Sequence, residues 1–182
     1  MSHSALIIID TQLGMYDGQR ITPIFHGDQK LELIKSLIQT ARMKGITTIY
    51  IQHEGGEGHP LDKNAEGYSI HHEISPVKGD LIITKKHPDS FLNTQLNEAL
   101  VNLSISNLYI VGNQTEYCID TTCRSANSKG FRVILIRNCH STWDTETLSA
   151  TQIIDHHNAT LEEGFVTLKN SEEISFDEFE DL

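Results

Sequence analysis

The sequence predicts a single-domain α/β fold: a doubly wound, Rossmann-like sheet of about six mainly parallel strands with helices on both faces. Short apolar runs recur along the chain and are nearly continuous rather than alternating, as is typical of strands covered on both sides. Longer segments with helical periodicity separate them, and this β–α alternation favours parallel strands joined by right-handed crossovers. The 182 residues suit one domain with its own hydrophobic core, so we expect residues 1–182 to fold as a unit.

Six apolar runs, rich in β-branched side chains, predict the strands. They span residues 5–9, 46–51, 81–84, 108–111, 131–136 and 165–168. Four intervening segments have helical periodicity, and a glycine follows three of them. These segments lie near residues 31–41, 96–103, 115–129 and 148–161.

One segment interrupts this alternation. Between His53 and Gly79 the chain holds four further glycines, two prolines and four histidines, with little periodicity. A long irregular segment inside a compact domain is usually a functional loop. We expect it to act as a lid or as a contact with a neighbouring subunit.

Composition narrows the class of protein. The net charge is −11 with neutral histidines, and such a surface repels phosphate backbones and anionic lipids, which argues against nucleic-acid and membrane partners. Three cysteines without a CxxC pair form no disulfide framework, and the first residues lack the pattern of a secretory signal, so we expect a cytoplasmic protein.

Residues 170–182 form an acidic tail. We expect it to be solvated unless Phe176 or Phe179 docks it on the body or on a neighbouring subunit.

Three chemically capable side chains lie at the ends of predicted elements. Asp10 closes the first strand, where partial burial suits a carboxylate to general-base work. Cys118 is expected in the first turn of the third helix, where the dipole favours a thiolate and backbone amides can bind an oxyanion. Lys85 follows the third strand and would stabilise negative charge. Structural roles stay open at this point: a cap or salt bridge for Asp10, a buried apolar group for Cys118, a solvated cation for Lys85.

The histidines of the irregular segment are candidate metal ligands by residue type. His53 and His59 are separated by five residues, and His71 is adjacent to His72. Neither spacing matches a recognised ligand motif. We therefore expect no metal and no other cofactor.

Four stretches of the sequence together resemble the isochorismatase-like cysteine hydrolase superfamily. They are residues 5–12 (ALIIIDTQ), 79–85 (GDLIITK), 85–96 (KKHPDSFLNTQL) and 112–122 (GNQTEYCIDTT). The third stretch is similar to the family's Lys-x4-Ser/Ala-Phe-x2-Thr-x-Leu pattern, and the fourth to its Gly-x2-Thr-x2-Cys turn. The likeness extends from residue 5 to about residue 168, with the motifs in the family's order.

The resemblance implies a catalytic triad of Asp10, Lys85 and Cys118. It also implies a cis peptide bond between Asn113 and Gln114, and an oxyanion hole formed by the backbone amides of Gln114 and Cys118. Side chains near the strand ends are expected to form the substrate pocket, namely Gln12, Tyr16, His53, Tyr68, Phe91 and Tyr117. Family members are commonly dimers or tetramers, so a homodimer or homotetramer is expected.

The resemblance also implies a hydrolase, and we expect Cys118 to attack a small amide or ureido C–N bond and form a thioester. Nicotinamidases of this superfamily carry an Asp-x-His metal motif after the second strand, whereas this chain has Gln52-His53-Glu54. That departure argues against nicotinamide as the substrate and against a metal. The alternatives are a vinyl ether hydrolase of the isochorismatase type, a non-catalytic binding module of the same fold and a thiol redox protein.

Overall fold

The structure, a computed structural model, describes residues 3–18 and 21–177, and it confirms the predicted architecture as a single α/β domain. Six strands form one sheet, and every neighbouring pair is parallel. The strands are β1 (Ser4–Ile9), β2 (Thr47–His53), β3 (Leu81–Lys85), β4 (Asn107–Asn113), β5 (Arg132–Ser141) and β6 (Thr167–Lys169). Their order across the sheet is β3-β2-β1-β4-β5-β6, so the winding direction reverses between β1 and β4. In such sheets ligands bind beyond the carboxyl ends of the strands at this reversal.

Four α-helices connect the strands, and they cover both faces of the sheet. They are α1 (Gly27–Met43), α2 (Leu96–Asn102), α3 (Asp120–Ser128) and α4 (Ala150–Glu162). Within the described ranges, none of the helices is long and apolar enough to cross a lipid bilayer.

The central strand β1 shows why the apolar runs lack polar alternation. Its successive side chains point to opposite faces of the sheet, and every one of them is buried. Leu6 and Ile8 belong to the apolar cluster that includes the inner face of α1. Ile7 and Ile9 belong to the cluster on the other face, which includes side chains of α2 and α3.

Two elements differ from their predicted bounds by five residues at one end. The apolar run of β5 stops at Ile136, but its hydrogen-bond ladder continues to Ser141 after a register shift against β4. The segment before α3 is a π-helical turn, Thr115–Ile119, rather than the start of the α-helix. Both differences lie at the carboxyl end of β4 or β5, where the site described below is built.

The irregular segment folds against the loop that follows β1. It contains two short 3-10 helices, Glu66–Tyr68 and His72–Ile74. The Leu13 amide donates to Ser69 O over 2.8 Å, and the His71 amide donates to Thr11 O over 2.9 Å. The segment is therefore tied by backbone hydrogen bonds to the same edge of the sheet that Asp10 occupies.

The beginning of the acidic tail is docked on the domain, which is the alternative that Phe176 offered to a solvated tail. Phe176 is almost fully buried, and its ring contacts Tyr109 of β4 edge-on at 4.7 Å between centroids. Ile174 is buried as well, while the acidic Glu172 and Glu173 stay exposed. Apolar burial outweighs the charge of the segment here. Phe179 lies outside the described residues.

Candidate active site

Asp10 directly follows β1, and neighbouring strands fix its position. Its backbone has a left-handed conformation, φ 49°, which is strained for a residue with a side chain. Its amide donates to Ile51 O of β2 over 2.9 Å. On the other side, Gly112 approaches β1 so closely that a Cβ there would lie 2.0 Å from Ile9 O. The carboxyl group of Asp10 is thereby held, fully buried, at the reversal of the sheet.

Lys85 brings the three predicted triad residues into contact. Its Nζ lies 2.8 Å from Asp10 Oδ2 and 2.9 Å from Cys118 Sγ. The Lys85 and Asp10 side chains are 0% and 1% exposed, so water screens this ion pair very little. The carbonyls of His87 and Pro88 accept further hydrogen bonds from Nζ at 3.2 and 3.4 Å. A carboxylate, an ammonium and a thiol therefore share one dry site.

Cys118 lies in the π-helical turn, not in the first turn of an α-helix as expected. The peptide bond between Asn113 and Gln114 is cis, as the resemblance implies. Gln114 O accepts hydrogen bonds from the amides of Tyr117 and Ile119, both over 3.1 Å. An oxyanion hole made by the Gln114 and Cys118 amides stays a prediction.

The electrostatics of the site favour a neutral thiol beside a charged pair. Burial, reinforced by the Asp10 carboxylate, raises the pKa of Cys118 to about 12, although Lys85 acts in the opposite direction. Desolvation therefore outweighs the neighbouring cation in its effect on the pKa of the Cys118 thiol. Burial alone would lower the pKa of Lys85, but Asp10 and Cys118 raise it above its ordinary value, so Lys85 stays charged.

His53, at the end of β2, faces the same site. A ring nitrogen of His53, a carboxylate oxygen of Asp10 and Cys118 Sγ all lie within 4.8 Å of one another. Two buried atoms of this group, Asp10 Oδ1 and His53 Nδ1, have no hydrogen-bond partner among the described residues. Burial lowers the pKa of His53, which favours the neutral imidazole.

These three residues are also the one group of potential metal ligands found within residues 3–18 and 21–177. A cation placed among them would lie close to the Lys85 ammonium, which contacts both Asp10 and Cys118. Like charges at such distances repel strongly in a buried site. The donor set is therefore a poor fit for a metal ion while Lys85 is charged.

Gln12 and Tyr16, predicted to form the pocket wall, are buried and hydrogen-bonded within the protein. The Gln12 side chain donates to His53 O and Tyr68 O and accepts from the His53 amide, over 2.8–3.0 Å. The Tyr16 hydroxyl accepts from Asn113 Nδ2 over 2.7 Å. Gln12 thus fixes the end of β2, and Tyr16 supports the strand end before the cis peptide.

The structure does not bring the other aromatic side chains of the predicted pocket together. Phe91 is buried in the core, stacked on Phe131 at 5.8 Å between centroids. Tyr117 is 55% exposed on the outer side of the π-helical turn. The Tyr68 hydroxyl lies 3.4 Å from Thr84 Oγ1 on β3. Their assignment to substrate binding stays a prediction.

A buried histidine that the sequence gave no reason to select supports the nucleophile turn. His140, in the extended part of β5, is completely buried. Its Nδ1 lies 2.9 Å from Thr115 Oγ1, and its Nε2 lies 2.9 Å from Asn158 Oδ1 of α4. Because the Asn158 oxygen accepts, Nε2 carries the proton, and Nδ1 accepts from the Thr115 hydroxyl. Burial lowers the pKa of His140 to about 3, so it stays neutral.

A second polar network holds the side chain of Gln114. Its Nε2 donates to Glu116 Oε1 over 2.8 Å and to Thr142 Oγ1 over 3.1 Å. The Thr142 hydroxyl also donates to Glu116 Oε1, over 2.8 Å. The residue after the cis peptide is therefore fixed by its side chain as well as by its carbonyl.

A mainly apolar cavity of about 380 Å³ lies beside Gln114. Its walls come from several loops and are Met15, Ile21, Thr22, His59, Pro60, Leu61, Gln114 and Trp143. No Asp, Glu, Lys or Arg is among these residues. The His59 ring lies 6.0 Å from the His53 ring, measured between centroids, so the cavity is adjacent to the triad. Sequence reasoning singled out Gln114 and His59 for other roles and missed the remaining residues, because they are distant in sequence and belong to no motif.

The fold and site define an α/β protein with a buried carboxylate, ammonium and thiol at the reversal of a parallel sheet. The family model described as Isochorismatase domain matches residues 4–161. A crystal structure of an isochorismatase family protein superposes with a TM-score of 0.84 at 30% identity, covering 92% of this chain and 98% of the other. The protein belongs to the isochorismatase family, a family of hydrolases.

Some relatives are named for their activities. Streptothricin hydrolase of Streptomyces noursei is 27% identical over 140 residues, which cover 77% of this chain and 55% of that protein. This chain thus spans little more than half of that hydrolase. Ureidoacrylate amidohydrolase RutB of Yersinia enterocolitica is 29% identical over 163 residues, covering 68% of each chain.

Proposed function

We propose that the protein hydrolyses a C–N bond of a small amide or ureido compound through a thioester on Cys118. One observation carries the proposal: Lys85 Nζ lies within 2.9 Å of both Asp10 and Cys118 in a site closed to water on most sides. A neutral thiol beside a carboxylate is arranged for general-base-assisted attack. The likeness to an amidohydrolase supports C–N bonds as the target.

Acylation begins when Asp10 takes the Cys118 proton while Sγ attacks the carbonyl carbon. Asp10 Oδ1 is suited to accept this proton, because Oδ2 is engaged by Lys85 and Oδ1 has no hydrogen-bond partner in the part of the chain that the structure describes. The S–C bond forms and the carbonyl electron pair moves to oxygen. Lys85 stabilises the charge that develops next to it. Asp10 then gives the proton to the departing nitrogen as the C–N bond breaks.

Deacylation reverses these proton transfers with water as the attacking group. Asp10 takes a proton from water as the water oxygen bonds to the thioester carbon. When the tetrahedral intermediate collapses, the C–S bond breaks and the sulfur takes the proton held by Asp10. The products are a carboxylic or carbamic acid and the restored thiol.

The apolar cavity indicates which substrates this site favours. Its walls can bury an uncharged apolar group next to Gln114. Among the described residues that line it there is no Asp, Glu, Lys or Arg to pair with a charged group, and burying an unpaired charge is costly. The proposed substrate is therefore a neutral amide or ureide with an apolar substituent.

Replacing the nucleophile is the direct test. A panel of small amides and ureides is assayed for ammonia or amine release with the wild type and Cys118→Ala. Turnover is expected to fall at least about 1,000-fold in Cys118→Ala, since the nucleophile is lost. Cys123→Ala is the matched control, because Cys123 is buried in α3 away from the triad, and it should keep its activity. Full turnover by Cys118→Ala would refute a covalent mechanism.

The cavity is tested by changing its largest wall residue. In Trp143→Ala, kcat/KM for an amide with an aromatic substituent is expected to fall about tenfold, since roughly 1.4 kcal/mol of apolar contact is lost. Acetamide, whose only substituent is a methyl group, is too small to fill the cavity and should be hydrolysed at an unchanged rate. An equal loss for both substrates would show that the cavity does not select the substituent.

A further inference from the structure

We propose that His53 is a fourth catalytic residue, which holds the deacylating water together with Asp10. The inference rests on the proposed thioester mechanism and assigns a step in which His53 acts. Its starting point is a pair of buried polar atoms, Asp10 Oδ1 and His53 Nδ1, both unpartnered among the described residues. Buried polar atoms are normally hydrogen-bonded, so a pair without partners at one site points to a bound polar group.

The distances suit a single water molecule. Two hydrogen bonds of about 2.8 Å allow one water to join atoms up to about 5.6 Å apart. A ring nitrogen of His53 and a carboxylate oxygen of Asp10 lie within 4.8 Å of each other, and both lie within the same distance of Cys118 Sγ. A water that bonds to both is therefore a few ångströms from the carbon of a thioester on Cys118.

His53 is held for this task by its backbone. Its amide donates to Gln12 Oε1 over 2.8 Å, and its carbonyl accepts from Gln12 Nε2 over 3.0 Å. Gln12 is completely buried, so the end of β2 is fixed relative to the loop that follows β1. The backbone that carries the imidazole is thereby fixed, while Nδ1 stays without a hydrogen-bond partner among the described residues.

The step balances without another reactant. The water donates one hydrogen bond to Asp10 Oδ1 and the other to the unprotonated Nδ1 of a neutral His53, which leaves an oxygen lone pair for the thioester carbon. Asp10 takes the first proton as the O–C bond forms, and His53 keeps its hydrogen bond to the second. The C–S bond then breaks, and the proton on Asp10 returns to sulfur. His53 orients the water and takes no proton.

p-Nitrophenyl acetate separates acylation from deacylation. Wild type, His53→Ala, His53→Asn and Cys118→Ala are compared for release of p-nitrophenolate and for the mass of the intact chain. In His53→Ala, steady-state turnover is expected to fall about 100-fold, while one acetyl group accumulates on Cys118. His53→Asn should recover part of the turnover, because its side-chain oxygen can accept at the position of Nδ1. His156→Gln, exposed on α4, serves as the control and should behave as wild type.

Two other sets of results would each contradict one claim, either the role of His53 or the thioester mechanism. Unchanged turnover in both His53 variants, or equal loss of acetylation and turnover, would show that His53 has no separate role in deacylation. A wild type that is never acetylated and turns over no faster than Cys118→Ala would instead contradict the thioester mechanism itself. The acetylated mass of the wild type thus distinguishes failure of this inference from failure of the proposed function.

Discussion

The carboxyl ends and the amino ends of the parallel strands each carry an ion pair between a basic and an acidic side chain. The two pairs differ in their contact with water. At the carboxyl edge, the Lys85 and Asp10 side chains are 0% and 1% exposed. At the opposite edge, Arg42 and Asp80 are 30% and 7% exposed, and Arg42 also binds the Tyr50 hydroxyl over 3.2 Å.

The difference indicates separate roles for the two pairs. A fully buried ion pair is a poor source of stability, because desolvation offsets much of its attraction. The Arg42 pair keeps part of its hydration and joins α1 to the turn before β3, which is a structural task. The Lys85 pair is kept dry beside a thiol, where its charges act strongly on a reacting group.

Removing the basic member of each ion pair in turn gives the largest expected effect on the free energy of unfolding. Lys85→Met leaves the Asp10 carboxyl group buried without its partner, and the free energy of unfolding is expected to fall by about 3–5 kcal/mol. Arg42→Met should cost only about 1 kcal/mol, since water can replace part of the lost interaction. Urea titration monitored by circular dichroism measures both.

The double variant Asp10→Asn/Lys85→Met controls for this effect. It removes both charges and should recover much of the lost stability. Equal losses in Lys85→Met and Arg42→Met would contradict the distinction between the two edges.

His140 makes the free energy of unfolding depend on pH. Its folded-state pKa of about 3 lies well below the ordinary value of about 6.5, so the unfolded chain binds a proton that the folded protein does not. Stability from this residue is complete above pH 6.5 and is lost as the pH falls towards 3, by up to about 1.4 kcal/mol per pH unit. His140→Gln should reduce the slope of unfolding free energy against pH by that amount between pH 5.5 and 4. Identical slopes would contradict a neutral buried His140.

The protonation state of Cys118 can be measured by alkylation, and this is the smallest of the expected effects. Because burial raises the pKa of Cys118 to about 12, the thiolate is a small fraction at neutral pH. The rate of modification by iodoacetamide is expected to rise about tenfold per pH unit between pH 7 and 9 without reaching a plateau. Mass spectrometry of the modified chain assigns the site, and Cys118→Ala corrects for the other cysteines. A plateau below pH 8 would mean that the thiolate is the resting form.

The strands and the candidate triad could be predicted from the chain for different reasons. Apolar runs such as residues 5–9 report burial directly, because a strand covered on both faces has no polar side chains. Asp10, Lys85 and Cys118 stand at strand ends or in the turn after one, and parallel strand ends meet at one edge of the sheet. The sequence by itself therefore determined the order of elements and the side chains that converge.

Only the tertiary structure decided how those side chains behave. The protonation of Cys118 follows from desolvation, which depends on atoms from several strands and cannot be assigned to a position in a motif. The proximity of His53 to Asp10, the contact of His140 with Thr115 and the cavity beside Gln114 join segments far apart in the chain. Periodicity is a local signal, whereas burial and hydrogen bonding across the fold are set by packing.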